Sequence, residues 1–129
     1  MFRAMTTDKS YTPPLLDTAR ENLLRVAEAF CRYSGTSRNA MSGVILNDTK
    51  FLQRVSDGAN FTLAQYDRTM GAFSRLWPDD LPWPDQTPRP APSRLDPMVV
   101  SVAQRKVEAG RARIDRRQKQ EATANGRAA

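Results

Sequence analysis

An all-α fold is the expectation for this chain of 129 residues, and three observations carry it. Apolar residues recur at helical spacing, most clearly at Leu63, Tyr66, Met70, Phe73 and Trp77. Short links of Gly, Asn, Asp, Ser and Thr punctuate the periodic stretches at Gly35, Asn47-Asp48 and Gly58. Beyond Trp77 the composition changes abruptly, with seven of the nine prolines falling between residues 78 and 97. The expected organisation is therefore an N-terminal arm (1–14), a compact four-helix bundle (15–77), a Pro-rich linker (78–97) and a basic tail with a helical stripe (98–129).

The first predicted helix carries Leu16, Leu23, Leu24, Ala27, Phe30 and Cys31 on one side, starts near Asp17 or Thr18, and is ended by Gly35. Glu21–Arg25 and Glu28–Arg32 are spaced as i,i+4 pairs along it. A second short helix, capped by Thr36 or Ser37, buries Ala40, Met41, Val44 and Ile45 and stops at Asn47-Asp48. The third runs from about 48 to 57, with Phe51, Leu52 and Val55 inward, and Gly58 stops it. The fourth starts from a cap at Thr62 and is closed by Pro78. In the tail, Val100, Val107 and Ile114 recur every seven residues, but Ala103 and Gly110 hold the intervening positions, too small for a strong zipper.

Composition excludes several classes. The chain has no His and one Cys, Cys31, so it cannot form an internal disulfide or a zinc finger, and a reducing cytoplasm is the expected compartment. Lacking the commonest general base, a Cys–His pair and a Gly-rich phosphate loop, it does not read as an enzyme, and no cofactor or metal is expected. No apolar run reaches the roughly 20 residues of a membrane span, so no membrane partner is expected. The net charge is +6 with pI ≈ 10.1, which favours a polyanionic partner. Residues 95–129 hold eight Lys or Arg against four Asp or Glu, and so contribute four of those six charges.

The order helix, tight turn, helix, Gly-ended loop and longer helix resembles the helix-turn-helix DNA-binding domain of the lambda repressor and Cro class. Met41, Ile45, Leu52 and Val55 stand where that family buries the apolar residues of its helix pair, and Ser42 takes the small position. Val55-Ser-Asp-Gly58 followed by Phe61-Thr-Leu63 resembles the family's exit from the recognition helix. The resemblance covers about residues 18–77. In this register Leu46 stands where the family usually has Gly, and Asn47 where it has the next apolar residue, which implies a reshaped turn.

The resemblance implies a small bacterial or prophage-type transcriptional regulator that places the 48–57 helix in the major groove. Thr49, Lys50, Gln53 and Arg54 would meet base edges, where Gln pairs with adenine and Lys or Arg with guanine. Ser37, Arg38 and Asn39 at the start of the second helix, and Asn60, would meet phosphates. Taken singly, these residues read sooner as a solvated polar face, and it is helix order, charge and spacing together that turn the reading to DNA. The expected partners are double-stranded DNA, a second copy of the chain paired through the fourth helix with Trp77 and Trp83 or through the tail, and a protein held by the Pro-rich segment or the tail. The expected location is the cytoplasm, on the nucleoid. The rival expectation is an adaptor that binds RNA polymerase or another regulator and reads no DNA.

Overall fold

A computed structural model describes residues 14–128, and the arm expected over residues 1–14 lies outside them except for Pro14. The described chain is all-helical: α1 (Pro14–Ser34), α2 (Arg38–Leu46), α3 (Phe51–Ser56), α4 (Leu63–Leu76) and α5 (Pro97–Ala128). None of these helices is long and apolar enough to cross a membrane. Helix α1 begins at Pro14, ahead of the expected Asp17 or Thr18, because a proline at the first helical position has a preset φ and needs no N–H.

The core is made by the apolar faces of the first four helices. Leu23, Val26, Ala27 and Phe30 of α1 meet Met41 and Ile45 of α2, Phe51, Leu52 and Val55 of α3, and Met70, Ala72 and Phe73 of α4. Phe30 is the hub, its ring centroid 5.4 Å from Phe73 and 5.9 Å from Trp77. Removing a ring of this kind costs about 3–5 kcal/mol, since the pocket collapses only in part. Among the described residues every buried side-chain polar atom has a hydrogen-bond partner. Asn22, for example, donates to Tyr66 Oη at 3.1 Å, so α1 and α4 share a polar tie inside an apolar contact.

The segment read from sequence as a linker is irregular and also packed. Two indole N–H groups close local loops: Trp77 Nε1, at the end of α4, donates to the Leu81 carbonyl at 2.6 Å and Trp83 Nε1, within the segment, to the Thr87 carbonyl at 2.9 Å. The two rings lie 4.6 Å apart, with Arg89 over Trp83. The strap is then tied to α4 by Ser74 Oγ donating to the Pro90 carbonyl and by the Ser93 N–H donating to the Gly71 carbonyl. A Cβ at Gly71 would meet Ser93 Oγ, so a larger residue there would have to displace the Ser93 side chain. Prolines suit such a strap, which offers few N–H groups and takes its bonds through carbonyls and side chains. Trp77 is buried and Trp83 half-buried in this packing.

Helix α5 docks through the residues that make a poor zipper. Ala103 and Gly110 are buried while Val100, Val107 and Ile114 are half-buried, all on one face. The small residues let α5 approach the end of α1 so closely that a Cβ on Gly110 would overlap the Ser34 carbonyl oxygen. Arg111 donates to the Tyr33 carbonyl at 3.1 Å with its guanidinium over the Tyr33 ring, and Arg113 donates to the Gly35 carbonyl at 3.2 Å. These bonds satisfy carbonyls at a helix C-terminus, where cations are also favoured by the dipole. Tyr33 Oη in turn donates to Asp80, so α1, the strap and α5 meet at one residue. That carboxylate acceptor holds the Tyr33 pKa above the ordinary tyrosine value.

Candidate nucleic-acid interface

The turn between α2 and α3 is fixed by three short-range devices. Asn47 ends α2 in the left-handed region (φ 54°) and its N–H donates to the Gly43 carbonyl at 3.0 Å. Asn tolerates that region better than Leu, so Asn47, one residue after the position the family register assigns to Gly, takes the sharp bend. Buried Ser42 donates from Oγ to the Asp48 carbonyl at 2.5 Å and accepts from the Leu52 N–H at 3.3 Å, bridging both helices. The Asp48 carboxylate accepts from the Lys50 N–H at 3.1 Å. With the backbone of Asp48–Lys50 committed to these bonds, α3 starts at Phe51, not at about 48, and ends at Ser56 instead of about 57.

The exit from α3 is equally determined. Gly58 (φ 96°) takes the left-handed position after the helix, with Gly58 N–H bonded to the Val55 carbonyl and Ala59 N–H to the Arg54 carbonyl. Arg20 reaches across from α1 and donates to the Val55 and Ala59 carbonyls at 2.7 and 2.8 Å, with its guanidinium over the Phe61 ring. A capping box joining Thr62 and Gln65 then starts α4.

Of the residues expected at base edges, Thr49, Lys50 and Arg54 are exposed and Gln53 is half-buried. Thr49 lies in the turn with its methyl group against Gly43, where an added Cβ would stand 2.8 Å from Thr49 Cγ2. Lys50 precedes the first residue of α3. Arg54 is ion-paired with Asp48 through Nη2 to Oδ2 at 2.6 Å, and Gln53 Nε2 donates to Asp57 Oδ1 at 3.1 Å. The hydrogen bond from Arg54 is the main reason the Asp48 carboxyl is held below its ordinary value, and the same pairing raises the Arg54 pKa.

Ser37 and Arg38, both expected at phosphates, border different grooves. Ser37 caps α2, its Oγ accepting from the Ala40 N–H at 3.1 Å. It lines an open groove of about 560 Å³ between α2 and α5, whereas Arg38 lines another with Glu28 and Arg32 of α1 and Ser56 of α3. Asn39 is exposed on α2, and Asn60 is exposed in the loop before α4. Cys31 lies half-buried beside Arg38 in the second groove, with its pKa raised chiefly by burial, as suits an inert thiol.

The α2–α5 groove brings cations of the basic tail beside the start of α2, a juxtaposition that the sequence does not show. Arg105, Lys106 and Arg113 line it opposite Ser37 and Ala40. Lys106 also lines the adjoining groove that holds Thr49, Gly43 and Val44. The usable signal was the seven-residue stripe itself: once Val100, Ala103, Val107, Gly110 and Ile114 define the docked face, the side of α5 turned to α2 follows from helix geometry.

No family model, no curated protein and no solved structure matches this chain.

Proposed function

We propose that the chain is a double-stranded DNA-binding transcriptional regulator of the helix-turn-helix kind, using the turn and α3 as its reading edge. The observation that carries this reading is the Ser42-locked pair of helices, which leaves Thr49, Lys50, Gln53 and Arg54 at the start and outer side of a short helix backed by a buried core. Side chains near the N-terminus of a recognition helix are the ones that reach base edges, and α3 at six residues, roughly 9 Å long, offers just that part. Release of Arg54 from Asp48, and of Gln53 from Asp57, would accompany docking. Gln53 would then read adenine, and Lys50 and Arg54 guanine, with Ser37, Arg38, Asn39 and Asn60 available to the backbone. A twofold operator would take two copies of the chain.

A second reading, an adaptor that binds RNA polymerase or another regulator without reading DNA, is favoured by the charge balance of the bundle and strap. Residues 14–96 carry ten Lys or Arg and ten Asp or Glu, so this part of the molecule has no net attraction for a polyanion.

A mobility-shift assay on the chain's own upstream region separates the two. DNA reading requires a sequence-selective shift that is lost in the triple variant Lys50→Ala/Gln53→Ala/Arg54→Ala. The absence of any selective shift, with the same chain retained on RNA polymerase or another regulator, supports the adaptor.

A further inference from the structure

The bundle and strap are electroneutral, so the positive charge of the described residues comes from α5, where eight Lys or Arg stand against three Asp or Glu. The charge is also sorted around the helix. At roughly 100° per residue, Arg105, Lys106, Arg113, Arg116 and Arg117 fall within about a third of the circumference, next to the docked face on the α2 side. Glu108, Asp115 and Glu121 all fall outside that arc. Lys119, also outside it, is paired with Asp115. Among the described residues none of the five arc cations is ion-paired, in contrast to Arg54.

We infer that this arc of α5 is a rail for the phosphate backbone of duplex DNA, continuous with the turn through Lys106, which shares one groove with Ser37 and the next with Thr49. The inference rests on the DNA-binding reading and adds to it where affinity comes from: α5 holds the backbone without regard to sequence, and the turn and α3 select. Charge complementarity identifies the occupant. Five cations on one face, of which Arg113 also bonds to the Gly35 carbonyl, spread from residue 105 to 117 and span about 18 Å at ~1.5 Å per residue. Between residues 105 and 117 Ala109 is the uncharged residue of the arc, and the apolar Val102, with Met98 and Val99, lies at its N-terminal end in the groove that holds Thr49. The close seat of Gly110 on Ser34 and the bonds from Arg111 and Arg113 hold the rail at a fixed angle to the bundle.

The test uses the full chain and a fluorescent duplex DNA, with dissociation constants measured between about 50 and 200 mM salt. The variant Arg105→Gln/Lys106→Gln/Arg116→Gln/Arg117→Gln removes four charges whose side chains bond to no other element, and its thermal melt should match wild type. Its slope of log K against log salt should be shallower by about three to four, because each phosphate contact contributes about 0.9. A control with the same loss of charge elsewhere, Arg32→Gln/Arg68→Gln/Arg75→Gln/Arg94→Gln, should change the slope by less than about one. Equal slopes for the two variants overturn the rail, as does tighter binding of an RNA duplex of the same sequence. Selectivity lost in the Lys50/Gln53/Arg54 variant while the arc variant keeps the wild-type slope leaves the reading edge standing and removes the rail. A steep, arc-dependent slope with no preference among duplex sequences leaves the rail standing and removes the selective edge.

Discussion

The turn with α3 and the arc of α5 are both polar and exposed, yet they are built in opposite ways. At the turn the polar groups answer one another: Asp48 holds Arg54, Asp57 holds Gln53, and Ser42 ties the backbone. On α5 the cations are gathered on one side and the acids on the others, so the arc has no internal answer to its charge. The first arrangement is rigid and neutral, suited to discriminating between partners that fit and partners that do not. The second attracts any polyanion at long range and discriminates little. A protein that needs both properties gains by keeping them on separate elements, since a charge added to the turn would weaken its selectivity and a partner added to α5 would weaken its attraction.

That contrast is broken most severely at Gly110. Gly110→Leu puts a side chain into the Ser34 carbonyl, and overpacking of this kind costs up to about 3 kcal/mol. The expected outcome is a detached α5, read as fast amide exchange over residues 100–114 while the α1–α4 core stays protected. Binding to any DNA should weaken, but the preference among sequences should persist. A smaller loss follows Ser42→Ala, which leaves the Leu52 N–H and the Asp48 carbonyl without their shared partner at a cost of about 2 kcal/mol in a denaturant melt. Here selectivity should fall and the salt slope should stay.

At Asn47 the expected effect is about 1 kcal/mol or slightly more for Asn47→Ala, because alanine resists the left-handed conformation that Asn47 holds. Asn47→Gly should lie within about 0.5 kcal/mol of wild type, and a larger loss would mean that the Asn side chain matters beyond its φ. The smallest effect belongs to Asp48. Its folded-state pKa is lowered, so its contribution is present above the ordinary value of 3.8 and is lost as pH falls through the lower folded value. In an acid titration, Asp48→Asn should be slightly less stable than wild type at neutral pH and should converge with it once pH falls below the lowered folded value.

Helix positions were legible in the sequence because each helix carries its own periodicity and its own stop, as Phe51, Leu52, Val55 and Gly58 do for α3. What escaped was long-range. The strap looks like a linker because prolines report what the backbone cannot donate; apolar Leu81 and Trp83 point to a fold back on the bundle, but nothing local announces Arg25 finding Thr87 Oγ1 at 2.8 Å across 62 residues. The docking of α5 was hidden for a related reason. Ala103 and Gly110 are weak in a zipper of equal partners, but they are what a close crossing over Ser34 and Gly35 requires. The candidate reading residues were visible one by one, whereas their pairing with Asp48 and Asp57 depends on a turn whose geometry is set by Asn47 and Ser42 together.

The central claim, that the turn and α3 select a DNA sequence, is tested most directly by incubating the full chain with a pool of randomised duplexes and sequencing what it retains over several rounds. Convergence on a defined motif is expected, with a loss of convergence in the Lys50→Ala/Gln53→Ala/Arg54→Ala chain while its overall retention of DNA is largely preserved. A pool that stays unenriched while wild-type protein binds it, or a motif unchanged by the triple substitution, would contradict it.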